Sequence, residues 1–140
     1  KNTSHGELND MMKAFYHIEP IFFEKIRDQQ TGKIEDISIS AESFTLLESF
    51  DVSERKNKRV LVVDDICDGG GTFLPIAHIL RVEYDIKYIV LFVTHGIFSK
   101  GTVDLLKEYN NIITTDSFAE SDLDVCHSTH FNGRLKVIKL

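Results

Sequence analysis

The run Val60-Leu61-Val62-Val63-Asp64-Asp65-Ile66-Cys67-Asp68-Gly69-Gly70-Gly71-Thr72-Phe73 constrains this chain more than any other stretch. Four consecutive apolar residues, Val60 to Val63, have the composition of a strand buried on both faces of a parallel sheet. Asp64 and Asp65 follow where such a strand is expected to end, and ligands of open α/β sheets gather at the carboxyl ends of strands. Asp68, three glycines and Thr72 then lead into a helical pattern with Phe73, Ile76, Ala77 and Leu80 on one face. A glycine-rich turn entering a helix presents backbone N–H groups to an anion. Carboxylates beside it suit sugar hydroxyls or a hydrated Mg²⁺. The residues therefore point to a site for a phosphorylated sugar. A P-loop is excluded, because no Gly-Lys-Ser/Thr occurs. A receiver domain also opens on Val-Asp-Asp, but the next two expected strands do not end in Asp. As a mere turn, three glycines cost backbone entropy without benefit.

Asp64 to Thr72 resembles the phosphoribosyl pyrophosphate (PRPP) signature of type I phosphoribosyltransferases and PRPP synthetases. Thr94-His95-Gly96-Ile97-Phe98-Ser99 follows the next expected strand, Tyr88 to Val93, and is similar to a run of the synthetases that ordinary transferases lack. Upstream, Phe22-Phe23-Glu24-Lys25-Ile26-Arg27-Asp28 resembles the synthetase segment in which a strand runs into a Lys-x-Arg catalytic loop. The three motifs stand in the family's order and cover the C-terminal half of its chain. One position departs: the family pattern is usually Asp-Thr-Gly-Gly-Thr, and Gly69 stands at its second, hydroxyl-bearing place.

The resemblance implies an α/β fold, a mostly parallel sheet flanked by helices, and the reaction of ATP with ribose 5-phosphate to give PRPP and AMP. Gly69, Gly70, Gly71 and Thr72 are then expected to hold the 5-phosphate. Asp64 and Asp65 contact the ribose hydroxyls, through Mg²⁺ and water where the metal is bound, and Asp68 stands near the anomeric end. Lys25 and Arg27 are the expected catalytic cations. Much of the family's adenine site belongs to an N-terminal half, which also carries the expected homo-oligomer contacts. Two other readings stay open: a phosphoribosyltransferase that consumes PRPP, and a synthetase-associated regulatory subunit without turnover.

The 140 residues, 42% hydrophobic and 27% charged, suffice for one ordinary domain with its own core. The net charge of −6, with Lys and Arg scattered, argues against nucleic-acid binding. No apolar run is long enough for a membrane span. Cys67 and Cys126 have no metal-like spacing, and a reduced cytoplasmic compartment is the simplest expectation. Cys126, His127 and His130 lack a fourth nearby zinc ligand. His95, at the end of its expected strand, is read as a structural hydrogen-bonder. The absence of an initiator Met is what a piece of a longer protein shows.

Along the chain, Leu8 to Phe15 has helical spacing, Ile18 to Phe23 reads as a strand and Glu24 to Lys33 as an exposed loop. Ile34 to Ile39 reads as a half-buried strand, Phe44 to Val52 is ambiguous and Glu54 to Lys58 is a polar turn. Thr102 to Tyr109 reads as a helix, with short strands at Ile112 to Thr114 and Leu135 to Leu140. Alternating strands and helices predict a sheet covered on both sides.

Overall fold

The computed structural model describes Ala14 and residues 18–32, 34–118 and 133–140, arranged as two compact units that divide between Phe50 and Asp51. The expected helix Leu8 to Phe15, apart from Ala14, and the group Cys126, His127 and His130 lie outside the described residues.

In the first unit, strands β1 (Phe23–Arg27) and β2 (Ile34–Ile39) form an antiparallel hairpin, followed by helix α1 (Ala41–Glu48). Ser40 caps α1, its Oγ accepting from Ser43 N at 3.3 Å. The Ser43 hydroxyl in turn accepts from Phe22 N at 2.7 Å, which ties the entry of β1 to the helix start. The expected strand at Ile18 to Phe23 thus begins only at Phe23. The expected loop over Glu24 to Lys33 is mostly hairpin, because pairing with β2 satisfies the backbone of Glu24, Lys25 and Ile26 despite their polar sequence. Only the tip, Asp28–Gly32, is a turn. It is closed by Gly32 N donating to Asp28 O at 2.9 Å, with Gly32 at a φ of +68° that favours glycine.

The second unit opens with helix α2 (Val52–Asn57), where a turn was expected. A capping box makes this helix: Glu54 N donates to Asp51 Oδ1 at 2.8 Å, and Asp51 N donates to Glu54 Oε2 at 2.9 Å. Strand β3 (Arg59–Cys67) follows, then helix α3 (Phe73–His78), which continues as a π-helical turn over Ile79–Glu83. Next come β4 (Tyr88–Gly96), α4 (Val103–Glu108), β5 (Asn111–Thr115), a 3₁₀ turn at Asp116–Phe118 and β6 (Leu135–Ile138). The four strands form one parallel sheet in the order β3-β4-β5-β6, in a register that aligns Val62, Leu91, Ile112 and Leu135.

One face of this sheet is the core. Val62, Ile89, Leu91, Val93 and Ile112 bury against Phe73, Ile76, Ala77 and Leu80 of α3 and its extension, and against Leu105 and Leu106 of α4. Tyr109 locks the two helices together, its buried hydroxyl donating to Phe73 O at 2.7 Å. The opposite face does not fit the expectation of a strand buried on both sides. Leu61 is 59% exposed and Val63 62%, because β3 is an edge strand of this sheet and the core residues of α3 and α4 cover the Val62 side.

Polar side chains stitch the amino ends of the strands. Arg81 donates to Glu108 O at 2.7 Å and to Asn110 Oδ1 at 3.1 Å, and the same Asn110 oxygen accepts from Ile89 N. Arg134 donates to Asn110 O and Leu106 O. The carboxyl ends are left for the site. Among the described residues no helix is long and apolar enough to cross a membrane.

Candidate phosphate and sugar site

Strand β3 outlasts the apolar run. Asp64 and Asp65 lie in its last third, where Asp64 pairs with Val93 and Ile66 with His95, and the strand ends at Cys67. Asp64 folds back on its own backbone, its Oδ1 accepting from Asp65 N at 2.9 Å. Asp65 and Asp68 are exposed, and their carboxylates pair with no cation among the described residues.

The loop Asp68–Thr72 stands on a buried base. Cys67 has no exposed surface, and burial first, then the charges of Asp68 and Asp64, push its thiol up to about 12 despite a bond from the Gly70 N–H. Cys67 is therefore an inert plug and no nucleophile. Gly70 has a φ of +77°, and its carbonyl accepts from Phe73 N and Leu74 N, both at 3.0 Å, which starts α3. A Cβ on Gly70 would meet Leu105 Cδ2 at 3.4 Å.

Above this base the donors are open. The N–H groups of Gly69, Gly71 and Thr72 donate to no protein acceptor among the described residues, and Thr72 makes no side-chain cap to α3. Backbone in a right-handed and then left-handed conformation turns successive N–H groups toward one point, a concavity suited to an anion. The structure thus gathers Asp64, Asp65, Asp68, Gly69, Gly70, Gly71 and Thr72 on one strand end and one loop. Lys25 and Arg27 lie in the first unit, on exposed β1 beside Ile37 and Ile34 of β2. Arg27 Nη1 donates to Gly32 O at 3.2 Å.

The Thr94–Ser99 motif begins inside β4, which runs on through Gly96. Its pieces have packing reasons. Ile97 N and Phe98 N both donate to Cys67 O, at 2.9 and 3.1 Å, so the turn after β4 is tied to the root of the glycine loop. Phe98 is buried at a φ of +50°, and its ring occupies the space that a side chain on Gly96 would need. His95 Nδ1 lies 2.6 Å from Ser117 Oγ, and Ser117 and Thr115 both donate to Thr94 O. The expectation of a hydrogen-bonded His95 is met by this Ser117 contact. The roles of Thr115 and Ser117 were missed, because nothing in their local sequence marks a partner across β4.

Among the described residues no three His, Cys, Asp or Glu side chains converge as a preformed metal site. That donor set still fits Mg²⁺, which keeps several waters and needs only one or two carboxylates when a substrate supplies the remaining oxygens.

Residues 8–118 match the family model described as phosphoribosyl transferase domain. The chain is also similar to several proteins named ribose-phosphate pyrophosphokinase. It is 41% identical over 61 residues to that of Pyrococcus abyssi, covering 43% of this chain and 21% of the relative. It is 36% identical over 87 residues to that of Mycoplasma pneumoniae, covering 54% and 25%. With that of Thermococcus kodakarensis it shares 43% identity over 49 residues, 35% of this chain and 17% of the relative. The chain thus matches a quarter or less of the length of these relatives. With most of its length under the family model, a parallel sheet flanked by helices and a glycine loop at the sheet's carboxyl end, the chain belongs to the phosphoribosyl transferase domain family.

Proposed function

We propose that this chain is the ribose-5-phosphate-binding domain of a ribose-phosphate pyrophosphokinase. The observation that carries the reading is the set of unused N–H donors on Gly69, Gly71 and Thr72 between β3 and α3. They take the 5-phosphate, with the Thr72 hydroxyl as a further donor. Asp64 and Asp65 accept from the ribose hydroxyls, and Asp68 stands toward the anomeric carbon. The anomeric hydroxyl oxygen attacks the β-phosphorus of ATP. The bond from that phosphorus to the α,β-bridging oxygen breaks, AMP leaves, and the hydroxyl proton passes to solvent or to a nearby carboxylate. Asp64 and Asp65 would hold Mg²⁺ through water, and the bound ion would neutralise charge on the transferring group. Lys25 and Arg27 are the cations that this reading assigns to the developing charge during turnover. The adenine site and the contacts of a homo-oligomer belong to further chain of the kind that the longer relatives possess. The compartment we assign is the cytoplasm.

The family description favours a second reading, a transferase that consumes PRPP. Two assays separate them. With ATP, Mg²⁺ and ribose 5-phosphate, a turnover-competent assembly forms AMP. If it instead releases pyrophosphate from PRPP only when a base is supplied, the transferase reading replaces ours. If neither product forms while ribose 5-phosphate still binds, the domain is a regulatory binder.

A further inference from the structure

The glycine loop has a neighbour that neither motif includes. Gly101 N donates to Phe98 O at 2.7 Å, closing a four-residue turn with Lys100 at its third position. The other side of this turn is bonded to Cys67 O through Ile97 N and Phe98 N. The Lys100 backbone is therefore fixed beside the root of the glycine loop. Its side chain lies along Gly69: a Cβ built there would meet Lys100 Cδ and Cε at 3.3 Å and Cγ at 3.7 Å. The ammonium is one bond beyond Cε. It is exposed, and no acidic side chain pairs with it among the described residues.

We propose that Lys100 is a phosphate-binding residue of this site, its ammonium standing beside the open amides in the place that a side chain at position 69 would otherwise fill. This rests on the reading of the loop as a sugar-phosphate cradle. Gly69 and Lys100 then form one device. The glycine leaves room for the lysine stem, and the lysine restores the side-chain donor that the glycine removes. A charge in place of a hydroxyl suits a phosphate monoester dianion and adds little for a neutral sugar. An exposed ammonium is also screened, so its contribution fades with salt.

The test is calorimetric titration of the full chain with ribose 5-phosphate, inorganic phosphate and ribose, for wild type, Lys100→Ala, Lys100→Arg, Gly69→Thr and the double variant Gly69→Thr/Lys100→Ala. We expect Lys100→Ala to weaken ribose 5-phosphate about three- to tenfold at low salt and about twofold or less at ~0.5 M salt, the range for a partly screened, charge-assisted contact. Lys100→Arg should stay within about twofold of wild type, and affinity for neutral ribose should not change. Gly69→Thr should gain little while Lys100 occupies the space, and should recover affinity once Lys100 is alanine, a non-additive pair. Equal binding of ribose 5-phosphate by wild type and Lys100→Ala overturns the Lys100 assignment and leaves the loop reading standing. So does a parallel loss for neutral ribose, which marks a merely structural role. If wild type binds neither ribose 5-phosphate nor inorganic phosphate, the loop reading fails and the assignment goes with it.

Discussion

Two turns in this chain begin on aspartate and run through glycine and threonine, and they treat their backbone amides in opposite ways. In Asp28–Gly32 the donors are turned inward. Asp28 Oδ1 accepts from Gln30 N and Thr31 N, and Gly32 N closes on Asp28 O. In Asp68–Thr72, which follows a buried cysteine, the amides of Gly69, Gly71 and Thr72 find no protein acceptor among the described residues. The first turn is a tip on an exposed hairpin that closes on its own aspartate. The second leaves donors that the proposed function gives to a phosphate. Composition alone does not separate them. What separates them is where the aspartate's oxygens go, and whether the turn sits on a sheet with packed helices beneath it.

The proposed function gives binding to the second turn and charge delivery to Lys25 and Arg27, and kinetics should expose that division most strongly. In a turnover-competent assembly, Lys25→Ala and Arg27→Ala should lower kcat by about two or more orders of magnitude. Affinity for ribose 5-phosphate should stay within a few-fold, as for contacts made only in the transition state. Near-normal turnover would make the hairpin a solvated surface.

Glycine substitutions should sharpen the contrast in stability. At Gly96 a Cβ would collide with the Phe98 ring and lie 2.7 Å from Thr114 Oγ1, so Gly96→Ala should cost about 3 kcal/mol or more by overpacking. At Gly32 a Cβ meets nothing within 4 Å, and only the positive φ resists it, so Gly32→Ala should cost about 1–2 kcal/mol. Denaturant unfolding with the two values reversed would mean that the glycine-loop end of the sheet is the softer region.

Tyr109→Phe should cost about 0.5–1.5 kcal/mol, the net worth of one buried hydrogen bond, since the Phe73 carbonyl at the start of α3 keeps its helical partner. Chemical denaturation measures it, and a neutral result would show that the Tyr109–Phe73 bond does not brace the loop.

The smallest effect belongs to Asp28. Hydrogen bonds from Thr31, side chain first and then backbone, and from Gln30 hold its carboxyl below the ordinary value. A depressed folded pKa stabilises the protein above the unfolded value of about 3.9, and that contribution disappears as pH falls through the folded pKa. The melting difference between wild type and Asp28→Ala should therefore be constant at neutral pH and shrink on acidification. A difference that grows with acid would contradict the turn geometry.

What the sequence made legible follows from how local each signal is. Asp64 to Thr72, the apolar face of α3 and the strands β4 and β5 carry their pattern within a few residues. The hairpin did not, because Glu24-Lys25-Ile26-Arg27 looks like loop until β2 supplies its hydrogen bonds. Helix α2 was legible in principle from Asp51 and Glu54, a capping box without an apolar stripe, since none of its residues is buried. Helix α1 hid because one of its two buried residues is polar, Ser43 alongside Leu47. The end of β3 has no local signal, because Asp64 and Asp65 look like a strand end in sequence, while pairing of Asp64, Ile66 and Cys67 with β4 carries the strand to Cys67. The approach of Lys100 to Gly69 spans two loops and had no local sequence signal at all.

The most direct test of the glycine loop as a phosphate site is a calorimetric comparison of ribose 5-phosphate with ribose on wild type and Thr72→Val. The account predicts that the phosphorylated sugar binds clearly more tightly than ribose, and that Thr72→Val removes about 1.5–3 kcal/mol of that preference with the fold unchanged. Equal affinity for the two sugars, on a folded chain, would contradict it.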